Sequence, residues 1–188
     1  MSSFIKWIFN ISSGRNVFLM FVITNLVYGA ILSYSLPHVL TYTTESVLFD
    51  MSPTGYDYQH AVTLIGSLGE AGRQAYLWVH MPLDFAYPGL FAIGYAMLFA
   101  WVIQKFASEQ SQWRWVVLLP LFAGIFDYLE NLSVIAMINT FPDIASSVAA
   151  FASMSTVVKS SLTSAYFCLL LIALGTWLKH AIASRRSK

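Results

Sequence analysis

The chain has 188 residues, of which 57% are hydrophobic and only 10% charged, where a soluble globular domain carries roughly 25% charged residues. Ten basic residues against nine acidic ones leave a formal charge of +1, so the basic face that nucleic acid requires is missing and no nucleic-acid partner is expected. One cysteine, Cys168, excludes an internal disulfide and a paired-cysteine zinc site.

The apolar residues fall in long blocks, and a block of about 20 crosses the hydrocarbon core as a helix. The first predicted span covers 16–36. Its basic leader and the small residues Ser33 and Ser35 also fit a cleaved signal loosely. An apolar core of about 16 residues is long for a signal, however, so the segment is read as a retained span. An outer loop follows over 37–75. Ser52-Pro53-Thr54-Gly55 reads as a turn. From Asp57, the spacing of Val62, Ile65 and Leu68 predicts a short amphipathic helix, weakened by Gly66, Gly69 and Gly72. Glu70 and Arg73, three apart, read as a solvated pair on one helical face.

The remaining spans are predicted over 76–106, 113–139 and 147–178. The second and fourth exceed the minimum length and should tilt, kink or project into the interface. Lys6, Arg15, Lys105, Arg114, Lys179, Arg185, Arg186 and Lys188 flank one side of this four-helix bundle, and the acidic loop 37–75 lies on the other. Basic flanks mark the cytoplasmic side, so both termini are expected in the cytoplasm, with the protein in a bacterial inner membrane. The six tryptophans lie near span ends, as an aromatic belt should. No internal repeat and no linker to a second domain is seen, so 1–188 is read as one integral membrane domain.

The informative residues lie inside the spans. A charge at mid-bilayer costs at least about 2.5–3.5 kcal/mol, and Asp84, Asp127, Glu130 and Lys159 each face that cost. At 1.5 Å per residue, Asp127 lies about 18 Å from the outer end of its span, Glu130 about 13 Å, Lys159 about 18 Å and Asp84 about 12 Å. Groups at one depth can neutralise one another. At 100° per residue Asp127, Glu130 and Asn131 share a stripe, with Ala123 and Gly124 one turn earlier. Thr156, Ser160 and Thr163 extend a polar stripe around Lys159. Gly89, Ala92, Ala96 and Ala100 form a small-residue stripe for close packing.

Pro88 has no N–H, so the carbonyl of Asp84, four residues back, loses its helical partner. A carboxylate and a freed carbonyl then stand together, open to a cation, a protonated ligand or Lys159. Pro82 frees the carbonyl of Trp78 likewise if the helix is continuous there. His80 faces the same way as Asp84, and Tyr87 stands beside them.

One lysine cannot neutralise three carboxylates, so at least one is protonated or paired with a group the chain does not encode. This favours a functional pocket over a network that only locks the helices. The candidate pocket residues are His80, Asp84, Tyr87, Asp127, Glu130, Asn131 and Lys159. His80, Asp84, Asp127 and Glu130 could supply one imidazole and three oxygens to zinc or manganese, but HExxH is absent and neither metal nor cofactor is expected. No Gly-x-Ser-x-Gly occurs, and Cys168 has apolar neighbours, which argues against a nucleophilic enzyme.

Four spans with acidic residues converging on a half-buried pocket resemble the arrangement of the emopamil-binding sterol isomerases and related sigma-type receptors. The likeness is one of architecture and assigns no residue a role. It implies, as an alternative, an acid-base enzyme acting on a lipid-like substrate. The leading expectation is a pocket for a membrane lipid or small amphipathic ligand. A proton-coupled transporter using Asp127 or Glu130 is the third reading, although four helices are few for alternating access. A homodimer, which would supply eight helices, stays open.

Overall fold

The structure, a computed structural model, describes residues 3–45 and 47–186; Lys188, counted above among the basic flanking residues, lies outside them. Its secondary structure is helical throughout the described residues. Four helices are long and apolar enough to cross a membrane: Gly14–Leu40, Gly69–Ile103, Gln112–Thr140 and Ser146–Ala183.

Chain order begins with α1 (Ser3–Ile11), a helix not foreseen in what had been read as a basic leader. Ile5, Ile8 and Phe9 supply its buried face at helical spacing. Arg114 stacks over the Phe9 ring at 4.0 Å, and Gln104 Nε2 donates to the Phe9 carbonyl at 2.8 Å. Ser13 then caps α2 (Gly14–Ala30), accepting from the Asn16 N–H. The first span continues through a π-helical turn (Ile31–Ser35) into α3 (Leu36–Leu40).

In the loop, Gly55 closes the expected turn: its N–H donates to the Ser52 carbonyl at 2.8 Å, and its φ of 86° lies in the left-handed region. A Cβ there would also stand 2.7 Å from Ser153 Oγ. The amphipathic helix is α4 (Tyr58–Ser67), capped by the Asp57 carboxylate and buried through Ala61, Leu64 and Ile65. Arg73 does not wait in solvent for Glu70. Its guanidinium stacks on Phe141 at 4.7 Å and donates to the Ile65 carbonyl at 3.3 Å.

The second span starts seven residues before the expected Tyr76, as α5 (Gly69–Ala75), and runs through a second π-helical turn (Tyr76–His80) into α6 (Met81–Ile103). Both π turns precede a proline, Pro37 and Pro82. A proline ring crowds the carbonyl four residues back, and a widened turn relieves that crowding while keeping the helix continuous. The third span is a 3-10 stretch (Gln112–Val117) leading into α7 (Leu118–Thr140). The fourth, α8 (Ser146–Arg186), has 41 residues, about 60 Å of helix against a hydrocarbon core of about 30 Å.

Close approach of α6 and α7 rests on Gly124, where a Cβ would stand 2.8 Å from the Pro88 carbonyl oxygen and 3.0 Å from Ala92 Cβ. Two apolar clusters bracket the middle of the bundle. One, at the loop end, gathers Leu48, Phe49, Leu64, Tyr76 and Met137. The other, toward the termini, gathers Ile5, Ile8, Phe99, Val117 and Tyr166. The polar residues lie between them.

Candidate functional site

Lys159, about a third of the way along the span Ser146–Ala183, meets three carboxylates. Its Nζ donates to Asp127 Oδ1 at 2.9 Å and to Asp50 Oδ1 at 3.5 Å, and pairs with Glu130 Oε2 at 2.7 Å. Asp127 and Glu130 come from α7 and are almost wholly buried, at 8% and 0% exposed. Their common face on α7 and their depth opposite Lys159 follow from helical geometry. Asp50 comes from a 3-10 turn in the loop (Phe49–Met51).

Asp50 is the residue that sequence reasoning missed, since it counts there only toward the acidic charge of the outer loop. Its neighbours carried the signal: Leu48 and Phe49 are fully buried and pull the turn down onto the bundle. Tyr76 Oη donates to Asp50 Oδ2 at 3.3 Å, and His80 Nε2 lies 3.0 Å from the same oxygen. Burial by itself would raise the Asp50 carboxyl, but the His80 hydrogen bond and the Lys159 ammonium hold it well below the usual carboxylate range. Asp50 is therefore ionised at neutral pH.

The two π turns lie against each other and place Ser35 Oγ 3.1 Å from His80 Nδ1, both residues being fully buried. Serine, imidazole and carboxylate thus stand in line. A nucleophile must reach a substrate, however, and Ser35 is buried with its hydroxyl turned back to the Ile31 carbonyl at 3.3 Å. Ser35 orients the ring.

Asp84 is 5% exposed. Its backbone carbonyl, freed by Pro88, accepts from Asn131 Nδ2 at 2.9 Å, so the donor is Asn131, not the Lys159 considered from the sequence. Among the described residues its carboxylate oxygen Oδ2 is buried without a hydrogen-bond donor, as is Glu130 Oε1.

Beside these groups lies a partly open cavity of about 560 Å³. Asp50, Asp84, Asp127 and Lys159 form its charged wall, with Ser160, Thr163 and Ser164 of α8 nearby. Tyr28, Ile31, Leu32, Leu36 and Phe91 form the apolar wall, and Met51 and Pro53 close the loop side. Tyr87 also lines it, stacked on Tyr28 with centroids 5.2 Å apart. His80, Glu130 and Asn131 stand behind the charged wall. Four of the seven sequence candidates, Asp84, Tyr87, Asp127 and Lys159, thus line the cavity together with Asp50, and the other three contact that wall from behind it. Asn25 lies apart, bonded to the Phe21 carbonyl and to Tyr95.

Two groups of these side chains have ligand atoms within 4.8 Å of one another: Asp50, His80 and Asp84, and Asp50, Asp127 and Glu130. The Lys159 ammonium already occupies the second. Compared with protein families, curated proteins and solved structures, the chain shows no match.

Proposed function

We propose that this chain is an integral membrane protein whose bundle binds a small amphipathic, lipid-like ligand. The observation that carries the reading is the cavity itself, which sets ionised and hydroxyl groups on one wall against aromatic and aliphatic side chains on the other. A polar head would lie on Asp50, Asp127 and Lys159, and an apolar tail along Ile31, Leu32 and Phe91. Pockets of 300–1,000 Å³ that combine apolar walls with a few convergent polar groups are the usual form of small-molecule sites. The basic flanks support cytoplasmic termini, with the pocket toward the outer face of an inner membrane.

The test is the thermal unfolding of delipidated protein in detergent, with and without the total lipid extract of the membrane it was expressed in. Wild type should be stabilised by one chromatographic fraction of that extract, and Leu32→Trp, which fills the apolar wall, should not respond. Equal response of both proteins to every fraction would refute the reading.

A further inference from the structure

We infer that Asp50, His80 and Asp84 form a binding site for one divalent transition-metal cation of the zinc class, facing the cavity. The inference deepens the proposed ligand pocket by giving its charged wall a metal centre.

Three observations carry it. One imidazole nitrogen and two carboxylate oxygens already lie within 4.8 Å of one another, and a zinc ion with ligands at about 2.0–2.2 Å would draw them together by roughly an ångström. Asp84 Oδ2 is buried and has no donor among the described residues, in a residue only 5% exposed. A bare buried carboxylate oxygen is costly. Finally, four carboxylates crowd this layer, and Lys159 is already engaged by Asp127, Glu130 and Asp50.

The histidine is mounted for the task. Ser35 Oγ stands 3.1 Å from His80 Nδ1 and fixes the ring from behind. Nε2 is thereby turned to the Asp50 carboxylate, 3.0 Å from Oδ2. A proton on Nε2 serves Asp50 but leaves Asp84 Oδ2 bare; a divalent cation in its place would serve both. An outer partner on the second ring nitrogen is the common way a ligating histidine is oriented, and Tyr76 Oη steadies Asp50 in the same manner. Because Asp50 and Asp84 line the cavity, an ion held by them would have an entry path and would be open to the proposed ligand.

The experiment uses full-length protein in detergent, stripped with chelator, dialysed against micromolar Zn²⁺ and passed over a sizing column before metal analysis. Wild type should retain one Zn²⁺ per chain, as should the surface control Glu70→Gln. His80→Gln and Asp84→Asn should bind at least about tenfold more weakly. Co²⁺ loading of the wild type should give visible ligand-field bands, a readout that does not depend on how the variants fold. Wild type that retains no stoichiometric metal overturns the inference. So does retention unchanged in both His80→Gln and Asp84→Asn, and so does loss confined to Asp127→Asn and Glu130→Gln, which would place the ion where Lys159 sits. Metal analysis reads the ion and lipid-fraction stabilisation reads the organic ligand, so either proposal can fail alone.

Discussion

Asn131 Nδ2 donates, at 2.9 Å, to the backbone carbonyl of Asp84. Pro88 strips that carbonyl of its helical donor, and a side chain from the neighbouring span replaces it. The pairing fixes α6 against α7 at the level where Asp84 faces the cavity.

Replacing Asn131 by leucine leaves the carbonyl buried without a donor, at a cost of about 1–3 kcal/mol. Pro88→Ala supplies the missing N–H, so the double variant should lose clearly less than the sum of the two singles. A double-mutant cycle on thermal unfolding in detergent checks this, and simple additivity would mean that the two devices are unrelated.

Lys159→Met removes the ammonium from between Asp127, Glu130 and Asp50. Breaking a buried ion pair by removing one partner costs about 3–5 kcal/mol, because the remaining charge stays buried. Asp127→Asn introduced into Lys159→Met should recover part of that loss, measured as the midpoint of unfolding.

Gly124→Ala should destabilise by about 1–3 kcal/mol, the usual cost of overpacking. The new methyl meets the Pro88 carbonyl oxygen, a backbone atom that cannot swing aside. Gly175→Ala is the control, since a Cβ there meets nothing within 4 Å.

Asp50 has a folded-state pKa below its ordinary value of 3.8. A depressed carboxylate contributes stability that is fully present above the unfolded value and is lost as pH falls through the folded one. The wild type should therefore lose stability below about pH 3.8, and Asp50→Asn should remove that share of the acid sensitivity. Unfolding midpoints measured across this range for both proteins give the comparison.

Most of the fold was legible in the sequence because a bilayer leaves little choice: long apolar runs must become helices. The convergence of Asp84, Asp127, Glu130 and Lys159 was legible for the same reason, since depth and helical angle follow from counting residues. Three features were not. Helix α1 carries its signal in Ile5, Ile8 and Phe9, within a run of nine residues too short to register as a span. The π turns depend on how the helix accommodates Pro37 and Pro82, which a proline announces without specifying. Asp50 reaches the site through a tertiary fold of the loop, and only the apolar pair Leu48 and Phe49 beside it hinted that the segment is buried.

Native mass spectrometry of the protein released gently from its membrane tests the central claim most directly. The account predicts a discrete non-protein mass bound to the wild-type chain and absent from Leu32→Trp. Bare chain alone under every release condition, or the same adducts on both proteins, would contradict it.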